Sequence, residues 1–170
     1  MAKILVLSDS HAGRSFMRLA VRAVRPDAVI HLGDFYEDGE ILAQENPHIR
    51  VHQVPGNCDR FRCAPDLPQV MCYDICGVRL LMTHGHLHGV KSAGTDRLSS
   101  VARSMQAKAA LYGHTHVADC RLDSDGLWIL NPGACGSYGG SVGLIVTEDG
   151  QIRDCKILQL PQLEALASGE

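Results

Sequence analysis

The chain has 170 residues, of which 45% are hydrophobic and 21% are charged, and its formal net charge is −3 at pH 7. This length suits one compact domain, and the composition is that of an ordinary soluble protein. The slightly acidic balance excludes a broad electrostatic attraction to nucleic acid or to anionic lipid. No transmembrane span or signal peptide is recognisable, so we expect a cytoplasmic protein without a membrane partner.

Cysteine and histidine are the two residue types whose use is unusual. The seven cysteines are odd in number and form no C-x-x-C pair, which favours reduced, mostly buried thiols over a disulfide framework. Cys72 and Cys76 are spaced like half of a zinc site, although a place in a hairpin core is the preferred interpretation. Five of the nine histidines lie in two short clusters, at 84–88 and 114–116, and histidine is the commonest side-chain metal ligand.

The first half of the chain alternates predicted strands and helices. Strands are predicted at 3–7, 28–32 and 49–54, and the first reads as buried on both faces because its apolar residues do not alternate with polar ones. Between them, helices are predicted from Ser15 to about Arg25 and over 39–44, with Ser15 and Asp38 as N-caps. This order is typical of parallel βαβ units.

The second half contains predicted hairpins, and the last third of the chain is expected to be mostly antiparallel sheet. Strands at 70–75 and 78–82 flank the turn Cys76-Gly77, and two later hairpins turn at Asp125-Gly126 and Asp149-Gly150. A helix capped by Thr95 with an apolar stripe to Met105 and a strand at 109–112 lie between them. We expect one domain over residues 1–160, followed at 161–170 by a loose tail or a short final helix.

Side chains that bind metals follow the ends of five predicted strands. They are Asp9, His11, Asp34, Asn57, His84, His114 and His116. Ligands gather beyond the carboxyl ends of strands in open sheets, so these side chains meet at one edge if the strands are neighbours. Seven donors exceed the usual complement of one zinc ion and suit two divalent ions bridged by Asp34. A donor set without thiolate favours manganese, iron, zinc, nickel or cobalt over calcium.

Five motifs stand in a fixed order along the chain: Asp9-x-His11, Gly33-Asp34, Gly56-Asn57-x-Asp59, Thr83-His84-Gly85-His86 and Gly113-His114-x-His116. This series resembles the calcineurin-like metallophosphoesterase superfamily and is most similar to its small single-domain phosphodiesterase branch in bacteria and archaea. Asn131-Pro132-Gly133 resembles a further family element. The resemblance covers nearly the whole chain. It implies an α/β fold in which a sandwich of two β-sheets is flanked by helices.

The resemblance also implies the roles of the site residues. Asp9, His11 and His116 would bind the first metal ion, Asn57, His84 and His114 the second, and Asp34 both. A hydroxide between the ions would attack phosphorus in line, with Asp34, Asn57 and His86 as catalytic residues. We therefore expect a phosphodiesterase with two divalent ions, manganese favoured over nickel, iron, zinc or cobalt, and a small phosphodiester substrate. Formation of a homo-oligomer is a further open alternative.

One position departs from the wider superfamily, in which many members have histidine directly after the motif asparagine. That residue is Cys58 here, and a neutral thiol is a weak proton donor. Cysteine at this position is familiar in the small phosphodiesterase branch and favours activated diesters as substrates. Asp59 is expected to orient a metal ligand. Arg14 is equally well interpreted as a phosphate contact and as a solvated loop residue.

The remaining histidines have simpler interpretations. His31 lies within a strand and is predicted to be a satisfied core or edge residue, and His48 and His52 are predicted at the surface. His86 is expected to support a ligand or to contact substrate, while the role of His88 stays undecided.

A second functional class is open for a chain of this kind. A eukaryotic retromer subunit has the fold that the resemblance implies and works as a scaffold, so the alternative is a non-catalytic metal-binding or protein-interaction module. The presence of all seven donors favours an enzyme. The glycine-rich segment 134–140 supplies no arginine, so a substrate preference cannot be carried over from the family.

Overall fold

A computed structural model of the chain describes residues 1–136 and 140–169, in which ten strands and five helices form. The strands are β1 (Ala2–Leu7), β2 (Ala28–His31), β3 (Arg50–Gln53), β4 (Val70–Ile75), β5 (Val78–Thr83), β6 (Ala109–Leu111), β7 (Asp119–Leu122), β8 (Trp128–Asn131), β9 (Ser141–Glu148) and β10 (Gln151–Gln159). The helices are α1 (Arg14–Val24), α2 (Tyr36–Glu45), α3 (Val90–Ala93), α4 (Asp96–Ser104) and α5 (Leu160–Ser168). Single turns of 3₁₀ helix cover Asn57–Asp59 and His86–His88.

Two five-stranded sheets make up the framework. The first has the strand order β10-β9-β1-β2-β3, with β1, β2 and β3 parallel to one another. The second has the order β4-β5-β6-β8-β7, with β5, β6 and β8 parallel. The hairpins β4–β5, β7–β8 and β9–β10 are antiparallel, as their turn sequences predict. Two sheets flanked by helices confirm the predicted fold class.

Alternate residues of β1 enter different cores, which explains its uninterrupted apolar sequence. Ile4 and Val6 are fully buried between the two sheets, where they join Leu80 and Leu130 of the second sheet. The opposite face contacts helices. Its cluster comprises Leu5 and Leu7 of β1, Met17, Ala20 and Val21 of α1, and Leu163 of α5. Burying one such aliphatic side chain contributes about 2 kcal/mol, so β1 holds the molecule together from both faces.

The outer face of the second sheet is covered in the same way by α4. Leu98 and Ala102 of that helix pack against Leu81, Ala110 and Ile129. At the end of the chain, α5 is the short final helix rather than a loose tail. The boundary that we placed at residue 160 stays a prediction. Within the described residues, no helix has the length and apolar character needed to cross a membrane.

Two predicted N-caps are wrong, whereas the third, Thr95, holds the N-cap position of α4 without a capping hydrogen bond from its side chain. α1 begins at Arg14 after Gly13, which places Ser15 inside the helix. α2 begins at Tyr36, so Asp38 lies in its first turn and its carboxylate binds elsewhere. Thr95 does precede α4, but its hydroxyl accepts a hydrogen bond from Arg121 instead (2.6 Å).

The cysteines are free, as predicted, but they are not mostly buried. Only Cys135 and Cys155 are buried, Cys58 is exposed, and the other four are half-buried. Cys72 packs beside the α4 cluster, whereas Cys76 packs against the core between the sheets. The two thiols therefore belong to different cores, which favours the hairpin-core interpretation over half of a zinc site.

Candidate metal centre

The predicted ligands lie on loops that follow β1, β2, β3, β5 and β6. Because β1–β3 are parallel neighbours in one sheet and β5 and β6 in the other, these loops leave the sheets at the same edge. Hydrogen bonds join the two groups of loops: the His114 amide donates to Asp9 Oδ2 (3.1 Å), and His84 Nδ1 donates to the Leu32 carbonyl (2.8 Å). The carboxyl ends of both sheets thus build one site.

One part of the site contains four predicted ligands. Asp9, His11, Asp34 and His116 each offer a donor atom, and these atoms lie within 4.8 Å of one another. His116 Nε2 is 3.1 Å from Asp9 Oδ1, and His11 Nε2 is 3.8 Å from Asp34 Oδ2. Asp9 Oδ1 and His11 Nε2 are buried without a hydrogen-bond partner. Such atoms are costly to leave unpaired, so their convergence fits a bound cation.

The other part of the site is organised by His84, which is fully buried. With Nδ1 donating to Leu32, a neutral ring presents a lone pair at Nε2. That atom lies 3.0 Å from Asn57 Oδ1 and 3.5 Å from Asp34 Oδ1. Three acceptors face one another there, which again fits a cation. The His114 ring completes this side, with its centroid 5.2 Å from that of His84.

Asp34 lies between the two parts, with Oδ2 toward His11 and Oδ1 toward His84. Its fixed position depends on a close approach of Gly56, since a Cβ there would lie 2.2 Å from Asp34 Oδ1. Burial raises the pKa of Asp34, but the nearby His84 imidazole, together with hydrogen bonding by Cys58, outweighs it and lowers the pKa. The carboxylate is therefore ionised at neutral pH and available to two ions.

Left-handed backbone conformations are concentrated at the site. Five predicted ligands have positive φ: Asp9 (53°), His11 (42°), Asp34 (59°), His114 (68°) and His116 (60°). Non-glycine residues in this region cost on the order of 1–3 kcal/mol each and persist where the surroundings determine them. In these backbone conformations, the side chains point away from the strand directions and toward a common point.

Asp59 holds the loop that carries Asp34. Its fully buried carboxylate accepts four backbone hydrogen bonds. Oδ2 accepts from the amides of Asp34 (2.9 Å) and Gly56 (2.7 Å), and Oδ1 from those of Phe35 (2.8 Å) and Tyr36 (2.8 Å). The side chain thus joins the β2 and β3 loops, in agreement with the orienting role expected from the motif.

Asp38 is a positioning residue that the sequence did not reveal. Its buried carboxylate accepts hydrogen bonds from Ser10 Oγ (2.7 Å) and from the Ala12 amide (2.9 Å). It thereby holds the loop of Asp9 and His11. An aspartate near a helix start is normally read as a cap, and only the approach of the β1 loop shows its other contacts.

His31 lies beneath this loop and is fully buried. Its Nε2 donates to Ser10 Oγ (3.1 Å), whereas Nδ1 has no partner, so the prediction of a satisfied core histidine holds for one nitrogen only. Burial lowers the pKa of His31 to about 4. The ring is neutral in the folded protein at neutral pH.

This burial predicts a pH-dependent stability for the metal-free protein. Because the pKa of His31 is lower in the folded than in the unfolded chain, the unfolded chain alone takes up the proton as the pH falls from about 6.5 toward 4. We expect its contribution to the free energy of unfolding to fall by about 2 kcal/mol between pH 7 and pH 5. Urea unfolding in EDTA at both pH values measures this loss.

The His31→Gln variant should lose this part of the pH dependence, since its amide is uncharged at both pH values. His48→Gln serves as the control, because His48 is exposed. An unchanged difference between the two pH values in His31→Gln would contradict the assignment.

Other predicted residues have clear positions. His86 is half-buried, and its ring centroid is 5.4 Å from that of His84. His88 is buried with an unpartnered Nδ1. His52 is half-buried against the Tyr73 hydroxyl (2.7 Å), so its predicted place at the surface is wrong. Arg14 is exposed and lies 3.7 Å from Asp38, with which it forms an ion pair.

The thiol of Cys58 stays protonated, because partial burial and the neighbouring Asp34 carboxylate raise its pKa to about 11. Asn131 supports the histidine loop: its Nδ2 donates to the Gly113 carbonyl (3.0 Å) and to Thr115 Oγ1 (2.9 Å). In the glycine-rich segment 134–140, residues 137–139 lie outside the part of the chain that the structure describes.

Comparison with known proteins gives a consistent result. Residues 2–149 match the family model of the calcineurin-like phosphoesterase superfamily domain. A probable metallophosphoesterase of Mycoplasma pneumoniae is 27% identical over 137 residues, covering 79% of each chain. One of Bacillus subtilis is 29% identical over 134 residues, covering 77% of this chain and 73% of that protein.

Solved structures share the fold. A predicted phosphoesterase from Streptococcus pneumoniae superposes with a TM-score of 0.66 at 25% identity, over 93% of this chain and 97% of that one. Vps29 of Entamoeba histolytica, in a complex with zinc, gives a TM-score of 0.66 at 20% identity, over 92% and 98% of the two chains. The family match extends over all five motifs, and the chain belongs to the calcineurin-like phosphoesterase superfamily.

Proposed function

We propose that the chain is a phosphodiesterase that uses two divalent metal ions. The observation that supports this proposal is the convergence of Asp9, His11, Asp34 and His116, among which two buried atoms have no hydrogen-bond partner, beside the close approach of His84 to Asn57. Asp9, His11 and His116 are assigned to one ion, Asn57, His84 and His114 to the other, and Asp34 to both. When bound, such ions lower the pKa of water and neutralise phosphate charge.

The chain's own residues would position the substrate. Asn57 is exposed at the rim of the site, and partial burial with the nearby His84 and His114 lowers the pKa of His86. A neutral His86 can donate a hydrogen bond to a phosphate oxygen or to the leaving oxygen. Cys58 is a poor acid because its thiol pKa is about 11. Weak assistance to the leaving group favours diesters with good leaving groups.

The donor chemistry also bears on the metal. Carboxylate, amide and imidazole donors suit manganese, which we favour, as well as nickel, iron, zinc or cobalt. A net charge of −3 supports a small phosphodiester rather than a long duplex as substrate. A cytoplasmic location and a possible homo-oligomer stay predictions.

A non-catalytic scaffold is the second candidate, because Vps29 proteins share this fold. The two candidates differ in turnover. Hydrolysis of bis(p-nitrophenyl) phosphate should be stimulated by Mn²⁺, abolished by EDTA and lost in Asp34→Asn. Manganese binding with no turnover of any phosphodiester tested would favour the scaffold.

A further inference from the structure

A groove of about 740 Å³ opens directly beside the candidate metal centre. It lies in the size range of small-molecule sites, roughly 300–1,000 Å³. Its wall comes mainly from the segment after β3, and Asn57 and His86 belong both to this wall and to the candidate site. A phosphate held at the centre would therefore have one of its ester groups directed along the groove.

The groove exposes large apolar side chains. Phe61 is 92% exposed and Leu87 is 53% exposed, and both line it. Val117, directly after the predicted ligand His116, is 67% exposed. Exposed apolar side chains gathered around a polar centre are typical of a surface that is covered when a ligand binds.

Cationic side chains accompany the exposed ring. The Arg60 guanidinium carbon lies 5.5 Å from the centroid of the Phe61 ring. Arg62 lies over the Phe35 ring (4.2 Å) and pairs with Glu37 (3.1 Å). The nearby carboxylate of Asp59 is buried and already accepts four backbone hydrogen bonds. The Arg60 guanidinium therefore places a positive charge beside the exposed ring of Phe61.

We propose that the groove is a subsite for a planar aromatic group esterified to the phosphate, and that the substrates are nucleotide-type phosphodiesters whose base stacks on Phe61. This inference rests on the proposed function, since it places the phosphate at the metal centre. A nucleobase and a simple aryl ester share the required chemistry, because both present a flat π-face to Phe61 and Arg60. The mixed apolar and cationic wall favours the nucleobase.

Calorimetric binding to the manganese-loaded chain tests the subsite without relying on turnover. Adenosine 5′-monophosphate and ribose 5-phosphate differ only in the base, and we expect the former to bind about tenfold more tightly. Phe61→Ala should remove this difference without changing the affinity for ribose 5-phosphate, and Phe61→Trp should retain it. Leu122→Ala is the matched control, since Leu122 is 53% exposed and does not line the groove.

Equal affinities for the two ligands, or an equal effect of Phe61→Ala on both, would overturn the subsite even if bis(p-nitrophenyl) phosphate is hydrolysed. Phenyl phosphate and methyl phosphate distinguish the aryl ester: if Phe61 strengthens only phenyl phosphate binding, the nucleotide assignment is wrong. Conversely, a Phe61-dependent preference for the nucleotide in a chain without turnover would keep the subsite and reject the proposed function.

Discussion

Asp34→Ala is expected to abolish manganese-dependent hydrolysis of bis(p-nitrophenyl) phosphate, with kcat at least about a thousandfold lower, or ~4 kcal/mol of transition-state stabilisation. Asp34 directs one carboxylate oxygen toward each part of the site, with Oδ2 3.8 Å from His11 Nε2 and Oδ1 3.5 Å from His84 Nε2. In the proposed arrangement, removing it would take a donor from each ion at once. Steady-state kinetics at saturating Mn²⁺ measures the loss.

Two further variants separate chemistry from folding. Asp34→Asn keeps the size of the side chain and tolerates the positive φ of this position better than alanine does, so it should fold while losing bound metal. Cys58→Ala should retain most of the activity, because a thiol with a pKa of about 11 contributes little as an acid. Metal content by mass spectrometry accompanies both assays. A larger loss in Cys58→Ala than in Asp34→Ala would reverse the assigned roles.

The strand framework was predictable because apolar periodicity reports burial directly. The run from Lys3 to Leu7 predicts a strand with two buried faces, and the structure places Leu5 and Leu7 against helices and Ile4 against the other sheet. The hairpin at Asp149-Gly150 was equally readable, since both residues have the positive φ that such turns require. The starts of α1 and α2 were not predictable from the sequence, because a potential cap is a local signal that tertiary contacts override.

The donors converge because parallel strands are neighbours, and the βαβ order predicts that arrangement. It does not predict the contacts that fix the donor side chains in place. Asp38 bonds to the β1 loop, and nothing in its sequence neighbourhood indicates that partner. The left-handed conformations of His114 and His116 are likewise imposed by the surroundings. His52 was misplaced because its partner, Tyr73, is on the other sheet. The spacing of residues along the chain does not reveal side-chain partners that are distant in sequence.

Asp59→Asn is expected to lower the free energy of unfolding by about 3–5 kcal/mol, although the change removes no volume. The carboxylate uses both oxygens, each for two backbone amides, within 2.7–2.9 Å. A carboxamide offers one acceptor, so its NH₂ group would face two donors and leave them buried and unpaired. Urea unfolding in EDTA measures this loss without a contribution from metal binding.

Asp66→Asn is the matched control, because Asp66 is exposed and its change to asparagine should leave the unfolding midpoint almost unaltered. The same loops carry Asp34 and Asn57, so Asp59→Asn should also weaken Mn²⁺ binding by about 10–100-fold, as loss of a residue that orients metal ligands does. The two effects have one cause, a loosened contact between the β2 and β3 loops. A loss below about 1 kcal/mol, the scale of one ordinary hydrogen bond, would show that Asp59 does not hold these loops together.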